Sequence, residues 1–460
     1  MSEKIDRRDF IQKIAAVGAG LAALPGIALS APAVNASGKP KSKLSVGIIG
    51  AGLRGQGHLG LLLRRDDCEV PAICDIDQRM IERSLKIYDE QGKPHPKVYA
   101  PGERDYLQML KDPGIDAVII ATPWEWHTEM ALAAMRAGKY VGMEVRGAFS
   151  IDECWQLVNT HEATGTPLFF LENVCYRRDL MAVLNMVREG LFGELVHLEC
   201  GYQHDLRGVK FNDGQTAYDS GVEFGEKGFS EARWRTKHSV HRNGDLYPTH
   251  GIGPVAQYLD INRGNAFLYL TSTSTKARGL HEYILNHPKG GPSHPNAQVE
   301  FRLGDVVTTV IKTAKGESII ISHDTNLPRP YSLGFRVQGT QGLWMDLNKS
   351  IHLERKSPEH RWEPAQEYLD RYDHRLWRTY AERAEGAGHG GMDWFLINAF
   401  VESAKRGDPA PIDVYDAAAW MAITPLSEQS IALGSQPMPF PDFTRGRWTE
   451  WGNGFAVGEY

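Results

Sequence analysis

The sequence predicts an α/β chain: a parallel sheet wound on both faces by helices, followed by a second domain of mixed strands and helices. Three observations carry the prediction. An apolar, β-branched run, LSVGIIG, ends in the glycine-rich turn Gly50-Ala51-Gly52-Leu53-Arg54-Gly55. Further strand-like runs, EVPAICD, DAVIIAT, YVGMEV and PLFFLEN, recur at the spacing that parallel strands with helical crossovers need. Each run ends in residues with chemistry to offer: Gly50, Asp75, Thr122 to His127, Glu144 and Asn173. Open parallel sheets bind ligands outside the carboxyl ends of their strands, so these ends are expected to line one crevice.

Before the first strand, Asp6-Arg7-Arg8-Asp9-Phe10-Ile11 precedes a mildly apolar run from Ile14 to Leu29 and then small residues. This reads as a twin-arginine export signal over residues 1–36, with Val34-Asn35-Ala36 or Ser30-Ala31 as its cleavage site, and residues 37–43 form a linker. The chain is therefore expected to be exported through the twin-arginine machinery, to the periplasm or beyond. The apolar run is short for a membrane span, and Gly18, Gly20 and Pro25 weaken it further. Of 460 residues, 42% are hydrophobic and 23% charged, ordinary for a globular protein large enough for two or three domains. A net charge of −6 offers no basic field for nucleic acid. Five scattered cysteines without a CxxC spacing argue against both a disulfide framework and a zinc site. No metal is expected.

Within residues 44–172 the glycine turn sets the chemistry. Gly50, Gly52 and Gly55 allow a tight turn and close backbone approach to a pyrophosphate at the start of the next helix, HLGLLLRR. Gly18-Ala19-Gly20 is a decoy with no strand before it. The second strand ends in Asp75, twenty residues past Gly55. A carboxylate there accepts from both ribose hydroxyls and repels a 2′-phosphate, which selects NAD over NADP. The helix EMALAAMRAGK closes on Gly138.

At this point the chain resembles the Gfo/Idh/MocA oxidoreductase superfamily, which joins a Rossmann domain to a C-terminal domain whose large open, mostly antiparallel sheet holds the substrate. The superfamily's usual Glu-Lys-Pro at the fourth strand is replaced here by Glu144-Val145-Arg146, without the lysine. Together with GLRGQGH, CDID, WEWH, LENVCYRRD, GLFGELVHLECGYQHDLR, RWRTKHSVHRNGDLYPTHGIGPVAQYLDINRGN and GHGGMDW, this resembles glycoside hydrolase family 109, the NAD-dependent α-N-acetylgalactosaminidases. Arg146 stands where that family usually has proline. The resemblance implies NAD contacts at Leu53, Arg54, Asp75, Trp124, Glu125, Trp126, His127, Glu144, Val145, Asn173 and Tyr247. It implies sugar contacts at Tyr202, Arg235, Tyr247, Pro248, Thr249, His250 and Tyr331. It further implies a substrate domain over residues 173–395 and a helical segment, 396–460, packing back on the first domain. Homo-oligomers through the open sheet are common in the superfamily.

In GDLYPTHGIGPVAQYL, Tyr247 and His250 lie three apart at a helix start, so both can face one cleft as proton-handling groups. His238 and His241 have metal-like spacing but no third ligand, and are expected in solvent. Ordinary glycosidases need a flanking pair of carboxylates, and no such pair is marked here. The family's route instead oxidises the sugar's third carbon, eliminates the glycosidic oxygen, adds water and returns the hydride. A tightly bound NAD recycled in every turnover needs no external pool, which reconciles a dinucleotide site with an export signal. The competing reading is an exported sugar oxidoreductase with tightly bound NAD(P).

Overall fold

A computed structural model describes residues 40–460, so the expected export signal and the first three residues of the linker, 37–39, lie outside the described residues. The first sheet contains β1 (Leu44–Ile49), β2 (Cys68–Cys74), β3 (Lys97–Tyr99), β4 (Ala117–Ile120), β5 (Tyr140–Met143) and β6 (Leu168–Phe170). All its pairings are parallel, in the order β3-β2-β1-β4-β5-β6, the doubly wound arrangement. Val46, Ile48 and Val118 to Ile120 are fully buried, as expected of strands covered by helices on both faces.

The second sheet has nine strands. They are β7 (Leu195–Gln203), β8 (Phe267–Ser274), β9 (Val306–Thr313), β10 (Ser318–Asp324), β11 (Arg336–Gly339), β12 (Gly342–Met345), β13 (Ser350–Leu353), β14 (Glu363–Pro364) and β15 (Met438–Pro439). Their order is β14-β13-β12-β11-β7-β10-β9-β8-β15, and every pairing is antiparallel except β7 with β10. Alternation of buried and partly exposed residues along β9 and β10 shows one covered face and one open face. The helix Thr249–Tyr258 packs on the covered side, against β7.

Helix Met392–Arg406 packs against helix Leu53–Leu63 and β1, and helix Val414–Met421 against β6 and helix Ile151–Thr164. The division placed at 395/396 falls inside the first of these helices. The reason is local: the helix begins after the left-handed Gly391 and its apolar face continues without interruption through Phe395, Leu396, Ala399 and Phe400. All five cysteines are buried and unpaired. No helix among the described residues is long and apolar enough to cross a membrane.

Candidate active site

The glycine turn fits a dinucleotide. Gly50 has φ +90°, and a Cβ there would lie 2.6 Å from the carbonyl carbon of Ala121. A Cβ on Gly52 meets nothing within 4 Å, so bare backbone faces outward. Helix Leu53–Leu63 has no side-chain cap, leaving its first N–H groups for an anion. Asp75 accepts from the backbone N–H of Ala51 (2.6 Å) and of Asp77 (2.8 Å), which fixes the end of β2 against the turn. Burial raises the Asp75 pKa despite those bonds.

From this turn a cleft runs past the ends of β4 and β5 to the second sheet. Of the residues expected to touch cofactor or sugar, Leu53, Arg54, Trp124, His127, Glu144, Val145, Asn173, Tyr202, Arg235, Tyr247 and His250 line it. Tyr331 is half exposed, edge-on to Tyr202 and His204. Glu125 turns aside to Lys237 and His238. Trp126 packs on the core, Pro248 caps the helix Thr249–Tyr258, and Thr249 is buried; none of the three lines the cleft.

Two polar centres organise the floor. Arg54 donates from Nε to Glu144 Oε1 (2.6 Å) and from Nη1 to Asp393 Oδ2 (2.8 Å). His58 donates from Nε2 to the same Glu144 oxygen (2.6 Å). Burial pushes the Glu144 pKa up, but Arg54 and His58 outweigh it and hold the group at about 2. Asp393 also accepts from Asn173 Nδ2 (2.7 Å) and His389 Nδ1 (2.7 Å); burial opposes its charge, yet His389 and Arg54 keep its pKa well below the usual range. His389 is exposed on the glycine-rich loop Gly386–Gly391 and lines the cleft from that side.

The second centre is His250, whose Nδ1 meets both oxygens of Glu172, at 2.7 and 2.9 Å. Glu172 is fully buried and also accepts from the N–H of Val174. Donation from Nδ1 leaves Nε2 of His250 as the free basic nitrogen. The Tyr247 ring lies 4.8 Å from His250 and 4.4 Å from Tyr202. Burial raises the pKa of Tyr247 well above that of free tyrosine and, against the pull of Arg235, that of Tyr202 to about 12. Both phenols therefore stay protonated at neutral pH. Arg235 lies over Trp124 (4.8 Å) and Tyr247 (5.3 Å) and pairs with Glu231 (2.5 Å).

A clasp from the second domain reaches across the crevice, lining it with Tyr218, Glu231 and Trp234. Asn212 is fully buried; its side-chain Nδ2 donates to the Phe229 carbonyl (2.8 Å) and its Oδ1 accepts from the Phe229 N–H (3.0 Å), gathering the loop between them. Phe229 in turn sits under the guanidiniums of Arg79 (4.5 Å) and Arg83 (5.3 Å), on the helix that follows β2. The same segment then lands beyond β4, where Trp234 meets Trp124 edge-on at 5.0 Å and Lys237 pairs with Glu125. β1 and its glycine turn lie between β2 and β4, so the clasp has a foot on either side of the phosphate site. His238 belongs to this second foot. It is buried and stacked with Trp124 (5.3 Å) and Phe149 (5.0 Å), a correction to the solvent-exposed position expected of it, while His241 is exposed. The aromatic neighbours that bury it come from other elements and leave no local pattern.

Glu172, His389, Asp393 and His58 were not marked by the sequence as site residues. Glu172 ends an apolar run, the position at which the other strands of the first sheet also place chemistry, and GHGGMDW offered His389 and Asp393 on a glycine-rich loop.

Residues 176–450 match the family model "Glycosyl hydrolase 109, C-terminal domain", and residues 44–171 match the NAD-binding Rossmann fold of the oxidoreductase family. A glycosyl hydrolase family 109 protein from Stenotrophomonas maltophilia is 56% identical over 96% of each chain. An α-N-acetylgalactosaminidase from Tannerella forsythia is 52% identical, covering 98% of this chain and 99% of its own. One from Shewanella oneidensis is 40% identical over 96% and 97%. Among solved structures, a levoglucosan dehydrogenase in complex with NADH and levoglucosan superposes with a TM-score of 0.60 at 18% identity, over 87% of this chain and all of its own. An inositol dehydrogenase homolog complexed with NAD+ from Azotobacter vinelandii gives 0.60 at 17%, over 88% and 100%. At that identity these two show the fold alone.

Proposed function

The chain belongs to glycosyl hydrolase family 109 and is an NAD-dependent glycosidase; from that premise we propose that it hydrolyses terminal N-acetylgalactosaminides, with the cofactor held tightly and returned to its starting state in each turnover. One observation carries the reading. Every carboxylate lining the cleft is already engaged: Glu144 by Arg54 and His58, Asp393 by Arg54, Asn173 and His389, and Glu231 by Arg235. The free carboxylate pair of an ordinary glycosidase is not among the described lining residues, whereas a histidine and a tyrosine stand together beside the cofactor crevice.

NAD, when bound, supplies reversible oxidation of a sugar carbinol, and the ketone so formed acidifies the neighbouring C–H. The protein positions the ring and moves protons. His250, fixed by Glu172, is the base for the carbinol or the adjacent carbon, and Tyr247 with Tyr202 holds the oxygen that changes charge. In its doubly protonated form His389, tied through Nδ1–H to Asp393, carries a second N–H at Nε2 on the opposite loop, as the group that gives the leaving oxygen its proton and is left neutral. Purified enzyme given a nitrophenyl α-N-acetylgalactosaminide and no added NAD is expected to release nitrophenol over many turnovers without accumulating NADH. Accumulation of an oxidised sugar would replace this reading by net oxidoreduction.

The clasp supports retention. Two guanidinium–Phe229 contacts contribute about 1 kcal/mol each. The double variant Arg79→Ala/Arg83→Ala is therefore expected to release NAD about tenfold or more faster, measured by dilution into an excess of labelled NAD, with activity restored by saturating NAD. An unchanged release rate would remove the clasp from the account. Export by the twin-arginine route to the periplasm, with NAD already inside, is part of the same proposal; it is supported by Arg7-Arg8 and the run that follows.

A further inference from the structure

Among the described residues Arg146 is the largest charged side chain that is fully enclosed, and the chemistry above does not use it. Its Nη1 donates to the carbonyl of Leu246 at 2.7 Å. That carbonyl belongs to the same peptide group as the N–H of Tyr247, and the N–H donates to Asp245 Oδ1 at 3.1 Å. The peptide that carries the active-site tyrosine is thus gripped at both ends, by a buried cation and a buried acid. Asp245 is itself fixed from helix Ile423–Ala432: its N–H donates to Ser427 Oγ (2.9 Å) and its carbonyl accepts from Thr424 Oγ1 (2.6 Å).

The guanidinium is also the middle of a series of cation–aromatic contacts. Arg242 lies 4.3 Å from Phe149, Arg146 4.2 Å from Phe149 and 5.4 Å from Trp124, and Arg235 4.8 Å from Trp124 and 5.3 Å from Tyr247. The series runs from the Arg242–Glu428 ion pair to the sugar-facing wall of the cleft. Burial, then the proximity of Arg242, pushes the Arg146 pKa down to about 9, and burial pushes that of Asp245 up to about 7. Two groups this costly to bury need a compensating gain, and the structure shows where it falls.

We infer that Arg146 is a positioning residue: with Asp245 it locks the Leu246–Tyr247 peptide, and through Trp124 it fixes Arg235, so that phenol and guanidinium meet the sugar in register. This rests on the glycosidase reading above. It assigns a task to a position outside the cofactor and sugar contacts.

The test measures kcat and KM on the nitrophenyl substrate for Arg146→Met, Arg146→Lys, Asp245→Asn and the double variant Arg146→Met/Asp245→Asn, with NAD content and thermal midpoint for each. Displacing a reacting group by an ångström costs up to about a hundredfold in rate. The expected result is a fall of about tenfold to a hundredfold in kcat for Arg146→Met with NAD content unchanged, and recovery of most of it by Arg146→Lys, which keeps a donor to Leu246. Because both residues act through one peptide, the double variant is expected to lose no more than the worse single variant. Full kcat in folded Arg146→Met, or losses that multiply in the double variant, would overturn the inference. Should Arg146→Met fail to fold, the isosteric Asp245→Asn decides alone, and an unchanged kcat there has the same consequence. Inactive wild-type enzyme would instead refute the glycosidase reading.

Discussion

Replacing His250 by alanine is expected to lower kcat by about a hundredfold to ten-thousandfold while the purified enzyme keeps its NAD. His250 sits at the first turn of a helix on the second sheet's covered side, away from the glycine turn, so its loss leaves the dinucleotide's phosphate and ribose contacts in place. Its imidazole is tied to a fully buried glutamate, which sets both its orientation and which nitrogen is basic. Glu172→Gln preserves shape but offers Nδ1–H a neutral acceptor in place of a carboxylate. It is therefore expected to cost about tenfold to a hundredfold, less than loss of the ring itself. The two histidines part company by leaving group. His389→Ala is expected to slow a sugar-alcohol leaving group far more than nitrophenolate, which departs with little protonation, whereas His250→Ala slows both alike. Steady-state rates on the two substrates settle it. Equal sensitivity of both variants to the leaving group would remove the division of labour between the histidines.

The parts of this site legible in the sequence are those set by local sterics. Gly50 and Gly55 were readable because only glycine serves a turn that passes so close to β4 and to itself, and the placement of Asp75 beside that turn because β2 is the parallel neighbour of β1. Tyr247 and His250 share a helix start, so three-residue spacing was enough to place them together. What could not be read are contacts made across the chain. Glu172 meets His250 over 78 positions, and Arg54 meets Asp393 over 339. The fold class was legible from apolar runs, but the parallel pairing of β7 with β10 joins strands more than a hundred residues apart, which no local period encodes. His238 shows the same limit from the other side: the lack of a third ligand to complete its metal-like spacing with His241 pointed to solvent, and aromatic rings from two distant segments enclosed it.

Gly55→Ala is the change expected to abolish cofactor retention. A Cβ at this position would lie 2.0 Å from the carbonyl oxygen of Gly50, an overlap that no rotamer relieves because both atoms are backbone-bound. Nor can the turn swing away freely: the same Cβ would be 3.6 Å from Ile48, itself fully buried in β1. Relief requires helix Leu53–Leu63 to move off the sheet, and that helix carries both Arg54 and His58, the partners of Glu144 and Asp393. A displacement made at the phosphate turn thus reaches the floor of the cleft. Affinity for NAD is expected to fall about a thousandfold, equivalent to about 4 kcal/mol, so the variant is purified without dinucleotide and stays inactive until NAD is supplied in large excess. Gly60→Ala, on the same helix with its nearest neighbour 3.9 Å away, supplies the control; it is expected to keep NAD and to gain up to about 1 kcal/mol of stability from helix propensity. Dinucleotide released from each protein by acid and measured by absorbance compares the two directly. Equal NAD content in both variants would mean that the pyrophosphate is held elsewhere than on this turn.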